Sequence, residues 1–308
     1  MTSVADLFDA VIELPDRIAQ RRYAALVGLD DVKSRLGKEA RLLLDPGSLE
    51  KWSKDQHGGR IAACDAFADR APMFLFAGDV GTGKTALAET FGDEIARGLD
   101  LPVLLYRLSL SSRGSGAVGE MTQLLATAFD EVRRAAGHPD RGGRHSSAVI
   151  LLIDEADALA QSRETAQMHH EDRAGVNALI RGVNSLSEQG LPVVVVLATN
   201  RLGAIDPAVR RRAAATFDFD RPNDDQRRVA LVRLLEGVPL DSGELDALVA
   251  MTGPVDDRDY GYTYSDLYQR LVPAAVLTAY PDRPLSVDLL LTTVGTVEPT
   301  PPFRSMER

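Results

Sequence analysis

Two short stretches of this chain carry residue types in an order that fits phosphate chemistry. The first is Gly78-Asp79-Val80-Gly81-Thr82-Gly83-Lys84-Thr85. Glycines at this spacing let successive backbone N–H groups curl round an anion at the start of a helix, with Lys84 reaching the β/γ-phosphates and the Thr85 hydroxyl reaching Mg²⁺. The second is Asp154-Glu155, which ends the apolar run Ala148-Val149-Ile150-Leu151-Leu152-Ile153. Carboxylates at the C-terminal edge of a parallel sheet lie where ligands bind. Asp154 is then the acid on the Mg²⁺ side and Glu155 the base that polarises an attacking water. A plainer role for acids after a strand is to cap the next helix, and Asp157 suits that role.

Such residues work only if strands and helices hold them, and the pattern supplies both. Met73 to Ala77 reads as a short strand feeding the glycine-rich turn, and a helix follows from Thr85 to about Arg97. Val103 to Leu108 and the valine run Pro192 to Leu197, which ends in Ala198-Thr199-Asn200, read as further strands; Met121 to Ala136 and Gly175 to Leu186 read as helices. The run Ala148 to Ile153 is too apolar for a surface strand and predicts a central one covered on both faces. Apolar strands alternating with helical stretches predict a parallel sheet flanked by helices, so residues 73–219 read as one α/β nucleotide-binding domain. Ser109 to Glu120, Gly137 to Ser147 and the charged stretch Asp55 to Asp69 read as loops.

Beyond Pro222 the pattern turns helical. Asp224 to Glu236, Ser242 to Met251, Ser265 to Ala279 and Val287 to Val294 are the expected helices, and Glu298-Pro299-Thr300-Pro301-Pro302 is an extended tail. At the other end, residues 1–22 read as one amphipathic helix, with Val4, Leu7, Phe8, Val11, Ile12 and Leu14 at helical spacing and Pro15 interrupting it. Leu26-Val27-Gly28-Leu29 then precedes a helix starting at Asp30-Asp31.

Composition narrows the classes. A chain of 308 residues, 44% hydrophobic and 26% charged, fits a soluble globular protein with a large and a small domain. No apolar run is long enough for a bilayer and the acidic start lacks an export signature, which points to the cytoplasm. The single Cys64 suits a reducing compartment and reads as a small buried side chain. A net charge of −10 argues against a nucleic-acid-wrapping surface. Met168-His169-His170 lacks metal-ligand spacing and reads as part of a polar loop, and Trp52 reads as a packing anchor.

Five separated features together resemble the AAA+ ATPases of the remodelling type. They are Val27-Gly28, the glycine-rich turn, Leu152-Ile153-Asp154-Glu155, Ala198-Thr199-Asn200, and Ile205-Asp206-Pro207-Ala208 leading into Arg210-Arg211-Arg212. Gly261-Tyr262-Thr263-Tyr264-Ser265-Asp266-Leu267 is similar to the family's Gly-Phe-Ser-Gly-Ala-Asp-Leu signature, so the match covers residues 23–280. The resemblance implies an α/β AAA+ P-loop domain with a parallel five-stranded sheet over residues 23–221, followed by a small all-helical lid domain and tail over 222–308. It implies ATP and Mg²⁺ as cofactors, and a homo-hexameric ring. Nucleotide contacts carry over to Val27, Gly28, Asp79, Val80, Gly81, Thr82, Gly83, Lys84, Thr85 and Ala86, and the metal to Thr85 and Asp154. Asn200 orients the attacking water. Arg211 or Arg212 reaches into a neighbouring subunit's site to neutralise the transferring phosphoryl group.

From Ile205 to Pro222 the order of residues resembles the pachytene-checkpoint branch, which unfolds part of HORMA-domain proteins. Val176-Asn177-Ala178 is similar to that branch too. In that alignment Arg212 is the finger, while another branch's alignment favours Arg211. Short bacterial relatives of this branch partner HORMA proteins that activate a nucleotidyltransferase in antiphage defence. The chain departs from the family in three places. The pore-loop stretch Ala117-Val118-Gly119-Glu120 has Ala where an aromatic grips substrate. Residues 1–22 are shorter than the adaptor domain of eukaryotic members. Ser265 stands where many members place a sensing Arg. Gln161 to Asp172 suits a second pore loop. The implied function is an ATP-driven protein remodeller acting on a HORMA-domain protein. The alternative is an AAA+ ATPase acting on nucleic acid, such as a helicase loader or transposition regulator. Arg113 is the only base in Ser109 to Glu120, and Glu120 offsets it, which favours a protein substrate.

Overall fold

The computed structural model describes residues 7–68, 70–110, 119–137, 145–159 and 169–303. They divide into two compact units. One comprises residues 1–24, 31–77 and 85–218; the other comprises 25–30, 78–84 and 219–308.

The first unit is built on a six-stranded sheet. Its strands are β1 (Ala10–Leu14), β2 (Met73–Gly78), β3 (Val103–Ser109), β4 (Ala148–Asp154), β5 (Val193–Thr199) and β6 (Ala215–Phe219), in the order β1-β3-β4-β5-β2-β6. β3, β4, β5 and β2 run parallel to one another, whereas β1 runs antiparallel along β3. The Val, Ile and Leu side chains of β4 and β5 are fully buried, as continuous apolar runs require in a sheet covered on both faces. The helices Glu120–Ala136 and His169–Glu188 contribute Leu125, Phe129, Val132, Leu179 and Val183 to the core over this sheet.

Three expectations need correction. The sheet is mixed and six-stranded rather than parallel and five-stranded, because Ala10–Leu14 is a strand and not part of an N-terminal helix. Apolar residues at 7, 8, 11, 12 and 14 satisfy a helical spacing, yet 10, 12 and 14 also alternate, and Leu14 is buried while Val11 and Glu13 face out. The open edge of β3 decides between the two periods, since it offers a full row of backbone partners. Charged residues 55–69 are not a continuous loop: helices Pro46–His57 and Ala63–Ala68 occupy much of the stretch. Pro46 starts the first helix and Gly58, at φ 72°, ends it by donating its N–H to Lys54 O at 3.0 Å. Trp52 is no packing anchor either, being 47% exposed with its ring edge-on to His57.

The helix after the glycine-rich turn is broken into Lys84–Ala88 and Phe91–Leu99. Thr90 sits at the break and its hydroxyl donates back to Ala86 O at 2.6 Å, a bond that competes with regular helix continuation. Cys64 is buried, as its type suggested.

The second unit gathers helices Asp224–Leu234, Ser242–Met251, Val272–Ala279 and Val287–Val294 round Leu231, Leu248, Tyr262, Leu267 and Leu290. Capping boxes start the first two, Asn223 with Gln226 and Asp241 with Glu244. The turn Asp266–Leu271 is a π-helix rather than the head of one long α-helix, and Pro273 just beyond it removes the N–H that a regular turn would donate.

Candidate active site

In the sheet unit the chemistry gathers at the carboxyl ends of neighbouring strands. β4 ends in Asp154, β5 ends one residue before Asn200, and Ser109, the last residue of β3, pairs in register with Asp154. The Asp154 carboxylate accepts from the Thr85 hydroxyl at 3.1 Å and from Glu155 N at 2.9 Å, with an Arg107 nitrogen 4.0 Å away. Burial pushes this carboxyl above its usual range, against the downward pull of Glu155 N–H, the Thr85 hydroxyl and Arg107. A hydroxyl and a desolvated carboxylate 3.1 Å apart are hard oxygen donors of the kind Mg²⁺ takes, one or two protein ligands being completed by phosphate oxygens.

Glu155 is exposed and adopts φ 53°, a left-handed backbone that glycine favours. The Ser109 hydroxyl donates to its carboxylate at 2.8 Å. Asn200 is half-buried, directly after Thr199. The Thr199 hydroxyl donates to Asp157, so Asp157 braces β5 instead of capping a helix.

Sequence reasoning missed a second layer. Glu89, at the helix break, is buried and accepts at 2.6 Å from both Arg22 and Arg107. Arg107 thereby stands between Glu89 and Asp154. The signal available was the two-residue period of β3, which puts Arg107 and Ser109 on one face of the strand beside the acidic one.

Asp206 caps the short helix Pro207–Arg210 by accepting from Ala208 N at 2.7 Å, and buried Val209 pins it. Arg210, Arg211 and Arg212 then follow on the surface, all exposed, with one Arg212 nitrogen donating to Ala208 O at 3.2 Å. Of the residues expected to form a pore loop, Ala117 and Val118 lie outside the described residues, as do 161–168 of the second candidate loop. Gly119 leads into the helix that exposed Glu120 begins.

In the helical unit lies the glycine-rich turn. Lys84 is buried, and its ammonium donates to Gly78 O at 3.0 Å and Asp79 O at 2.6 Å. The Thr82 hydroxyl also donates to Asp79 O. Gly81 has φ 76°, its carbonyl accepts from Ser265 N at 3.0 Å, and a Cβ there would come within 2.6 Å of the Thr263 hydroxyl. Gly28 is equally confined: Gln226 donates to its carbonyl at 2.6 Å, and a Cβ would collide with the Tyr264 hydroxyl. That hydroxyl is buried and makes no hydrogen bond among the described residues. Burial first, then Tyr268 and Asp30, pushes its pKa up to about 12, so it remains a neutral donor. A turn whose positive φ at Gly81 and Gly83 calls for glycine, and a buried Tyr264 hydroxyl beside Gly28 with no hydrogen-bond partner among the described residues, suit a bound nucleotide.

Comparison with known proteins agrees with this chemistry. The model of the ATPase family associated with various cellular activities, AAA, matches residues 74–221. CD-NTase-associated protein 6 of Escherichia coli strain MS 115-1 is 51% identical over 302 residues, which cover 98% of this chain and 97% of that protein. Among solved structures, a chain in the E. coli MS115-1 HORMA:CdnC:Trip13 complex superposes with a TM-score of 0.90 at 50% identity, covering 98% of this chain and 99% of that one. The Rhizobiales Trip13 structure gives 0.74 at 41% identity, covering 96% of this chain and 100% of that one.

Proposed function

The chain belongs to the AAA family of ATPases, in the branch of the pachytene-checkpoint remodellers, and from that premise we propose that it unfolds part of a HORMA-domain protein. The observation that carries this reading is end-to-end similarity to a chain solved in a HORMA:CdnC:Trip13 complex. The setting is antiphage defence in the cytoplasm, where the HORMA protein activates a nucleotidyltransferase. The working form is a homo-hexameric ring, with residues 23–221 as the nucleotide-binding domain and 222–308 as the lid.

Bound Mg·ATP supplies the phosphoryl group and a charge-neutralising cation. The chain's own residues do the rest. Val27 and Gly28 seat the base; the backbone of residues 79–83, with Lys84 and Ala86, holds the phosphates at a helix start. Thr85 and Asp154 hold the metal. Asn200 orients water, and Glu155 takes its proton, a contribution of about 10²–10⁴-fold. Arg212 of one subunit serves its neighbour's site, and residues 117–120 contact the substrate chain.

Two experiments test this. Glu155→Gln protein held in ATP is used to capture partners from the native host for mass spectrometry. A HORMA-domain protein among them supports the reading, whereas capture of DNA or a DNA-binding protein alone overturns it in favour of a nucleic-acid ATPase. Separately, Arg212→Ala is expected to lower turnover about 10³–10⁵-fold with nucleotide affinity unchanged. Unchanged turnover moves the finger to Arg211.

A further inference from the structure

A carboxylate inside a phosphate-binding turn is a liability, because it repels the ligand that the turn is built to hold. Asp79 is the second residue of the turn and its side chain is 15% exposed. Its main-chain carbonyl already serves Lys84 and Thr82. Its carboxylate faces a different set of donors. One oxygen accepts from Val80 N at 2.8 Å and Phe303 N at 3.0 Å; the other accepts from Arg221 Nε at 2.7 Å, with Arg221 Nη2 at 2.6 Å.

Arg221 spends the rest of its fork on the same unit. Its side chain is 13% exposed; Nη1 donates to Gly261 O at 2.7 Å, Nη2 donates to Thr300 O at 2.7 Å, and the guanidinium lies 5.0 Å from the Tyr260 ring centre. Gly261 opens the segment whose Ser265 N–H holds Gly81 O. Thr300 is fixed in turn by Asp266, which accepts from both its N–H and its hydroxyl. A planar fork satisfies all of these acceptors at once, and a lysine cannot.

We propose that Arg221 is a positioning residue for nucleotide binding: it neutralises the Asp79 carboxylate within the glycine-rich turn, so that the turn can accept a polyanion. The inference rests on the seating of phosphates at residues 79–84. Removing the guanidinium leaves a nearly buried carboxylate without its counter-charge beside that seat, so the loss exceeds that of a hydrogen bond and is repaired by removing the carboxylate's charge.

The test measures the affinity of the full-length protein for ADP and ATP, together with its unfolding midpoint without nucleotide. Arg221→Gln is expected to weaken both nucleotides about tenfold or more, the ratio that corresponds to ~1.4 kcal/mol, with ATP hit harder than ADP. Asp79→Asn in that background is expected to recover most of the loss, and Arg221→Lys to fall between wild type and Arg221→Gln. A merely structural arginine would lower the unfolding midpoint and leave affinity unmoved, or give a double variant no better than Arg221→Gln; either result overturns the assignment. Should Arg221→Gln fail to fold, Asp79→Asn alone decides, because it is expected to bind at least as tightly as wild type and a tenfold loss sinks the idea. Lys84→Ala separates the two levels. If it leaves affinity intact, the phosphate seat is wrong and the role of Arg221 falls with it; if it abolishes binding while Arg221→Gln binds normally, only the role of Arg221 falls.

Discussion

Asp154 of the sheet unit and Asp266 of the helical unit are both nearly or wholly withdrawn from water, yet their carboxyls are pushed in opposite directions. Asp266 is 0% exposed, and burial alone would raise it. Hydrogen bonds from the hydroxyl and N–H of Thr300 and from the N–H and hydroxyl of Thr263 overcome that and hold it below the usual carboxylate range. Arg270 adds a contact at 2.9 Å. Asp154 has fewer donors, and its arginine stands off at 4.0 Å while binding Glu89 closely, so burial wins. A carboxylate whose lone pairs are all engaged is a structural part. One left desolvated and under-compensated is poised for a cation.

Matching substitutions at Asp154 and Asp266 separate the two carboxylates. Asp154→Asn is expected to lower ATP turnover by about 10²–10³-fold, the worth of several kcal/mol of metal-borne charge stabilisation. It should leave the nucleotide-free unfolding midpoint unchanged or higher, because a desolvated charge is removed. Steady-state ATPase and thermal unfolding check both halves, and a large fall in midpoint would show Asp154 to be structural after all. Asp266→Asn is expected to do the reverse in stability, costing about 2–3 kcal/mol for a buried charge whose donors lose their partner, as read by denaturant unfolding.

Acid sharpens the same contrast. The Asp266 carboxyl is depressed in the folded state, so its contribution is complete above the unfolded value of about 4 and is lost as pH falls through the lower folded value. Asp154 is raised, so its contribution is complete below about 4 and is lost as pH rises through the folded value. Unfolding midpoints measured from acid to neutral should therefore show a shallower acid loss in Asp266→Asn than in wild type and a steeper one in Asp154→Asn. The smallest effect is expected from Ser109→Ala, which removes the hydroxyl that holds Glu155. Turnover should change by about two- to fivefold, the worth of ~0.5–1 kcal/mol, with no change in stability. A null effect would mean that Glu155 is oriented by its backbone alone.

Legibility in the sequence followed the range of the interaction. The runs of β4 and β5, the turn at 78–85, and helices Ser242–Met251 and Val287–Val294 are specified by neighbours in the chain, and periodicity located them. Ala10–Leu14 is specified by the bare edge of β3, far away in sequence, so its own pattern was ambiguous. The candidate site divides the same way. Asp154, Glu155 and the glycine-rich turn sit in local patterns, whereas Glu89 with Arg22 and Arg107, or Asp79 with Arg221, are matched only once the chain has folded. No composition or spacing ties an arginine to an aspartate across such a gap.

The left-handed backbone of Glu155 sets a price on activity that a stability screen would not see. A residue with a Cβ in that conformation costs about 1–2 kcal/mol relative to glycine. With Glu155 as the base proposed above, selection of variants for heat tolerance alone would drift this position toward glycine or asparagine and enrich well-folded, silent molecules. On that proposed role, any effort to harden this protein holds residue 155 fixed and looks for its gains elsewhere.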